Sequence, residues 1–361
     1  MPTVDAADIL TPDGWTGPAR VHIEGRQIGR IEPVSSVATA RRLLPGFIDM
    51  QVNGIDDVDV ASADGVAWER LDQLLLAQGV TTWCPTLVTM PLTRYERPLH
   101  RIAAAMDRPG GRRPAIAGAH LEGPFLGRSP GAHPVDFIVP IDLEWLRQLP
   151  RHVALVTLAP EQPLATDAIR MLTDSGRLVS IGHTQCSEAE FDAAVAAGAR
   201  LTTHLFNGMS GVHHRHPGVA VFALTNPDVC ASLIADGVHV HPRVVHLASE
   251  VLGDDRIVLV TDAVAWRAGS VGVIGMEWRD GAPRLPDGTL AGSGVTMDTA
   301  IRISVAAGVP LHRAVRAAST NPARLLGLHD RGSLASGLRA DMVAVDPDLQ
   351  IEQVWVAGEP V

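Results

Sequence analysis

Residues 178–207 read LVSIGHTQCSEAEFDAAVAAGARLTTHLFN. The segment opens on an apolar run, Leu178–His183, which closes on Gly182 and His183. Ser187 follows with Glu190 three positions on, the pairing that reciprocally caps a helix start, and Ser187–Ala197 then reads as a helix. A second apolar run, Arg200–Phe206, ends in His204 and Asn207. A strand, a capped helix and a second strand form the unit of a parallel sheet, in which a crossover helix returns the chain to the same edge.

The same alternation recurs outward in both directions. Eight such runs stand at Pro45–Val52, Val80–Val88, Ala115–Glu122, Val153–Ala159, Leu178–His183, Arg200–Phe206, Cys230–Ala235 and Arg256–Thr261. Between the first two, Val66–Gln78 places Val66, Leu71, Leu74 and Leu75 along one helical face. Eight strand and helix alternations predict a (β/α)8 TIM-like barrel over residues 45–331. The two ends differ from this middle. Ala19–Ile31 is punctuated by glycine and alternates, and Ala340–Asp346 with Val354–Gly358 resembles it. Residues 1–44 plus 332–361 are therefore expected to meet as antiparallel strands in a small β-sandwich domain beside the barrel.

Composition narrows the function classes. The chain has 361 residues, 46% hydrophobic and 19% charged, which is the profile of a globular protein able to bury a core. Its formal net charge of −10 gives no field that gathers polyanions, and an aromatic content of 4% supplies no stacking platforms, so neither nucleic acid nor membrane is an expected partner. All 30 basic residues are arginine. Without lysine there is no Walker A phosphate contact, no Schiff base and no carbamylated lysine bridging two metals. Three widely spaced cysteines, Cys84, Cys186 and Cys230, argue against a disulfide framework. The acidic N-terminus lacks the features of a signal peptide, and the expected compartment is the cytoplasm.

In a barrel of this type the chemistry sits at the carboxyl ends of the strands. The third run ends His120-Leu-Glu-Gly, the fifth Gly182-His-Thr, the sixth Thr203-His-Leu-Phe-Asn, the seventh passes into Asp236-Gly-Val-His, and the eighth ends Thr261-Asp-Ala. Glu122, His183 and His204 supply one carboxylate and two imidazoles, a set suited to one divalent ion, zinc first and iron(II) or manganese(II) as alternatives. Asp262 is then placed to act as general base. His133, in Gly131-Ala-His-Pro, stands where it can polarise a carbonyl, and Val212-His-His-Arg-His-Pro-Gly concentrates cations around Arg215, a candidate anion site.

The runs Leu44-Pro-Gly-Phe-Ile-Asp-Met-Gln-Val-Asn-Gly, His120-Leu-Glu-Gly-Pro-Phe, Gly131-Ala-His-Pro, Ile181-Gly-His-Thr, Thr203-His-Leu-Phe-Asn-Gly-Met, Arg215-His-Pro-Gly, Ala235-Asp-Gly-Val-His, Val260-Thr-Asp-Ala and Gly292-Ser-Gly-Val-Thr-Met stand in one order along the chain. In that order they resemble the N-acetylglucosamine-6-phosphate deacetylases within the amidohydrolase superfamily. The resemblance spans nearly the whole chain. It implies metal ligation by Glu122, His183 and His204, and Asp262 as base and then acid. It also implies that His133 contacts the acetamide or sugar, that Asn207, the Gly208 backbone, Arg215 and His239 serve the sugar phosphate, and that Ala132 and Met297 line the pocket. A homodimer is implied as well, with the Arg215 loop reaching toward the neighbouring subunit.

Two departures stand out. Many amidohydrolases carry His-x-His after the first strand, where this chain has Gln51-Val-Asn53, so a mononuclear site is expected. The following loop carries Asp56, Asp57 and Asp59, which would oppose a phosphorylated substrate if they faced it. The activity expected is hydrolysis of the acetamide of N-acetylglucosamine 6-phosphate to glucosamine 6-phosphate and acetate. The alternatives are another N-acetyl amino sugar, a cyclic amide, or a sugar-phosphate binding protein without turnover.

Overall fold

The computed structural model describes residues 2–361, so the first residue of the expected terminal segment lies outside the described residues. Eight strands run parallel: β1 (Phe47–Val52), β2 (Val80–Val88), β3 (Ala119–Glu122), β4 (Val153–Leu158), β5 (Leu178–Ile181), β6 (Leu201–Thr202), β7 (Cys230–Leu233) and β8 (Ile257–Leu259). Each pairs with its neighbour in sequence from β1 to β8. The ring closes through a parallel bridge between Val52 and Ala263, with the Asp262 amide donating to the Gln51 carbonyl at 3.0 Å. The chain is a (β/α)8 TIM-like barrel, and the β2 residues are buried on both faces, as strands covered by helices outside and side chains inside must be.

Several strands are shorter than their apolar runs. Gly118, at φ +146°, splits the third run into Ala115–Ile116 and β3. The sixth run pairs only at Leu201 and Thr202, because the chain leaves the extended region at its polar end, where His204 has φ 29°. The helix at Glu188–Ala197 begins with the expected box: Ser187 Oγ accepts from the Glu190 amide at 3.3 Å, and the Ser187 amide donates to Glu190 Oε2 at 2.7 Å.

Both chain ends enter one six-stranded sheet, in the order Glu359–Pro360, Ile351–Val356, Met342–Val345, Arg42–Pro45, Asp8–Thr11, Gly14–Trp15. A three-stranded sheet of Thr3–Ala6, Ala19–Glu24 and Gln27–Pro33 accompanies it, and Ile9, Val21, Ile23, Ile28, Leu43, Met342 and Trp355 share one apolar cluster. One pairing departs from the antiparallel expectation. Asp8–Ile9 runs parallel to Arg42–Leu43, because the chain passes through the other sheet before it returns. Inside the barrel, Asp49 joins β1 to the end of β8 by accepting from Thr261 Oγ1 at 2.6 Å. Burial pushes Asp49 up to about 7 against the hydrogen bond from Thr261. The cysteines are free and buried. Among the described residues, no helix is long and apolar enough to cross a membrane.

Candidate active site

A cavity of about 180 Å3 opens at the carboxyl ends of the strands and is lined by Glu122, His133, His183, His204, His239 and Asp262, with Ala132, Asn207 and Gly208 at its wall. Most of the residues expected at the site are thus brought together, although His183 and His204 are 21 positions apart and Glu122 is 82 from His204. Three of them leave their strands through left-handed backbone: His183 at φ 50°, His204 at φ 29° and Asp262 at φ 50°. Conformations so sparsely populated by L-residues persist where surrounding contacts over-determine them, and they cluster at functional sites. Ser232 on β7 supplies one such contact, its Oγ accepting from the His204 amide at 2.7 Å.

Glu122 Oε1 lies 3.2 Å from His183 Nε2 and 2.9 Å from His204 Nε2, and the two imidazole nitrogens are 3.1 Å apart. The other edge of each ring is committed. His183 Nδ1 donates to the Ser129 carbonyl at 3.0 Å and His204 Nδ1 to the Asn207 carbonyl at 3.1 Å. A carbonyl only accepts, so each neutral ring carries its hydrogen on Nδ1 and turns an Nε2 lone pair toward the other and toward the carboxylate. Lone pairs converging in a buried space attract a cation, and Glu122, His133 and His183, whose ligand atoms lie within 4.8 Å of one another, form a buried Glu/His/His cluster of the kind that suits a divalent metal. Without an ion, the cluster draws positive charge in the form of a proton. Against burial, which pushes it down, Glu122 lifts His204 to about 9, and against burial, which pushes it up, the bonds from His183 and His204 hold Glu122 well below the usual carboxylate range.

His133 is also within ligand range of Glu122 and His183. Its ring is set differently. The Thr89 backbone amide donates to His133 Nδ1 at 3.3 Å, and the Thr89 hydroxyl lies 2.8 Å from the same atom. Nδ1 therefore accepts, and the neutral ring carries its hydrogen on Nε2, 3.9 Å from Glu122 Oε2. Burial, with the neighbouring His183, pushes His133 down to about 3 and keeps it a neutral donor.

Asp262 lines the same cavity and is joined to Glu122 through one side chain. Its Oδ1 accepts from Gln51 Nε2 at 3.0 Å and Asn53 Nδ2 at 2.7 Å, and the same Gln51 amide reaches Glu122 Oε1 at 3.0 Å. Of the two residues that stand in place of His-x-His, Gln51 thus ties the buried carboxylates together and Asn53 holds Asp262. Those roles were hidden in the sequence, where only their failure to ligate a second metal was legible. Burial, and next the charge of Glu122, push Asp262 up to about 7.

Three features singled out in the sequence do not line this cavity. Met297 is fully buried at the start of the helix Met297–Ala306 and packs into the main core, because it lies on the apolar side of that helix. Arg215 sits on an exposed loop outside the cavity of the single chain, beside His213 and His216, whose rings stack at 5.6 Å. The carboxylates of the acidic loop are engaged elsewhere, two of them by arginines. Asp56 pairs with Arg267 at 2.8 Å and Arg70 at 3.3 Å, Asp57 with Arg70 at 3.5 Å, and Asp59 Oδ1 accepts from the Gly272 amide at 3.0 Å. The wall is completed instead by residues to which the sequence reading gave no role. Val264, Val271 and Ile274 share an apolar cluster over the mouth, and Thr289–Gly292 line it as well.

The amidohydrolase family model matches residues 42–361. The chain is 37% identical over 369 residues to an N-acetylgalactosamine-6-phosphate deacetylase of Escherichia coli O157:H7, covering 98% of this chain and 97% of that protein. It is 32% identical over 362 residues to an N-acetylglucosamine-6-phosphate deacetylase of Lysinibacillus sphaericus, covering 97% and 92%. Among solved structures, the N-acetyl-D-glucosamine-6-phosphate deacetylase of Mycobacterium smegmatis superposes with a TM-score of 0.92 at 32% identity over all of both chains. That of Thermotoga maritima gives 0.91 at 30% identity over 99% of each. With this barrel, this cluster and these relatives, the chain belongs to the amidohydrolase family, in the branch of the N-acetylglucosamine-6-phosphate deacetylases.

Proposed function

We propose that this chain hydrolyses the acetamide of N-acetylglucosamine 6-phosphate, releasing acetate and glucosamine 6-phosphate. The observation that carries the reading is the convergence of Glu122, His183, His204, His133 and Asp262 on one cavity. Glu122, His183 and His204 would hold one divalent ion, zinc by the chemistry of the donor set. Bound there, such an ion supplies a Lewis acid that activates water and polarises an acyl oxygen.

The protein's own groups account for the proton transfers. Asp262 Oδ1 is occupied by the Gln51 and Asn53 amides, so Oδ2 is the atom that takes a proton from the attacking water. The water oxygen bonds to the acetyl carbon, the carbon–nitrogen bond breaks, and Asp262 returns the proton to the leaving amine. His133 Nε2–H donates to the acetyl oxygen as negative charge grows on it. Asn207, the Gly208 amide and His239 hold the sugar phosphate, with Ala132 at the wall.

In this reading residues 45–331 form the catalytic barrel, and residues 1–44 with 332–361 the supporting β-domain. The protein works as a cytoplasmic homodimer in which Arg215 of a neighbouring copy completes the phosphate site. The exposed place of Arg215, outside its own cavity, supports that arrangement.

A second substrate reading, the C4 epimer N-acetylgalactosamine 6-phosphate, is favoured by the E. coli relative, which aligns along nearly the whole of both chains. Acetate release by metal-replete protein from both sugar phosphates and from unphosphorylated N-acetylglucosamine decides between these readings, with Asp262→Asn as blank. Turnover of N-acetylglucosamine 6-phosphate above its epimer supports the first. Preference for the epimer transfers the assignment, and turnover of none of the three refutes both.

A further inference from the structure

Asp236, in the run Ala235-Asp-Gly-Val-His, has no part in the chemistry above, yet it is packed against the cavity. Its Oδ1 accepts from the Val238 amide at 2.8 Å and the His239 amide at 2.7 Å, and its Oδ2 lies 2.7 Å from His239 Nδ1. Only 8% of the Asp236 side chain and 4% of the His239 side chain are exposed. Burial pushes Asp236 up, but the hydrogen bond from the His239 ring, with those from the His239 and Val238 amides, holds the carboxyl below its usual range.

An ionised carboxylate only accepts, so His239 Nδ1 must carry a hydrogen. The neutral ring then has its lone pair on Nε2, the edge turned away from Asp236, on a residue that lines the cavity beside Asp262 and His204. We propose that Asp236 is a positioning residue that locks His239 in the Nδ1–H tautomer, so that Nε2 meets a hydroxyl of the bound hexose as a hydrogen-bond acceptor. The substrate half of this inference rests on the sugar-phosphate reading above. The tautomer half does not.

The geometry also shows how to separate positioning from support of the fold. Asp236 Oδ1 caps a turn and Oδ2 orients a ring, so Asp236→Asn keeps an oxygen for the two amides and removes only the obligatory acceptor for Nδ1. Asp236→Ala loses both. The first measurement is 15N–1H correlation of the histidine rings in the wild-type protein without substrate, with His239 assigned by its disappearance in His239→Gln. The expected result is a hydrogen on Nδ1 and none on Nε2. A neutral ring protonated on Nε2 overturns the proposal before any substrate is added.

In Asp236→Asn the expected spectrum is a mixture of tautomers. The KM for N-acetylglucosamine 6-phosphate should rise about 3- to 10-fold, the effect of one neutral hydrogen bond, with kcat within about 2-fold. An unchanged tautomer with unchanged KM refutes the positioning role. If no sugar phosphate is turned over by the wild type, the substrate reading fails, while the spectrum still decides the tautomer.

Discussion

Asn53 Nδ2 lies 2.7 Å from Asp262 Oδ1, the shorter of two amide contacts to that oxygen. Both residues are buried, and they come from opposite ends of the barrel chain, joined only because β1 and β8 close the ring. A hydrogen bond to a charged group is worth about 1.5–3 kcal/mol, so Asn53→Ala is expected to lower kcat by about 10- to 100-fold while KM and the bound metal per chain stay unchanged. Steady-state kinetics with elemental analysis of the same preparation checks this. Loss of the metal together with activity would place Asn53 in ligand support instead.

Glu122 Oε1 faces both imidazole Nε2 atoms, which makes it the anionic member of the proposed ligand set. Chelation followed by dialysis should abolish acetate release, and added zinc should restore it. Glu122→Gln, which keeps the shape but removes the charge, should reduce bound metal at least 10-fold and lower turnover by about 10²- to 10⁴-fold. Full metal content in the purified variant would contradict the ligand assignment.

Gly208 has φ +59°, and a Cβ placed there would stand 2.8 Å from His183 Nδ1. That atom's bond to the Ser129 carbonyl orients the ring. Gly208→Ala is therefore expected to displace His183 and weaken metal affinity by about 10- to 100-fold, the range for disturbing groups that orient ligands. Competition with a chelating dye measures it, and a variant with wild-type affinity would show that the loop yields instead of the ring.

Asp49 makes stability depend on pH. Its folded-state value, pushed by burial to about 7, lies above the 3.8 of an ordinary aspartate. Its contribution to stability is therefore fully present below 3.8 and is lost as pH rises through about 7. Urea midpoints between pH 5 and 8 should fall with rising pH in the wild type, on the order of 1 kcal/mol per unit through the lower part of that range. Asp49→Asn, which cannot ionise, should flatten the slope. Parallel slopes for the two proteins would exclude Asp49 as the cause.

The architecture and the reactive set could be read from the chain itself, because both rest on local chemistry. Apolar runs separated by capped helices, as at Ser187 and Glu190, specify strand and crossover without long-range information. A histidine or carboxylate that ends such a run is carried to the strand's carboxyl end, and in a closed barrel all those ends meet, which is why Glu122, His183, His204 and Asp262 could be named together. What remained hidden depends on pairs with no sequence relationship. The direction of the Met297 side chain followed from the packing of its helix into the core, and the pairing of Asp56 with Arg267 from the path of a loop more than two hundred residues further along. The edge each imidazole turns to the cavity depends on a neighbour far away in sequence: the Ser129 carbonyl for His183 and Thr89 for His133. Residue type supplied a ring able to donate or accept at either nitrogen, and only the folded neighbours, by presenting a carbonyl or an amide to one edge, determined which atom is left to face the cavity.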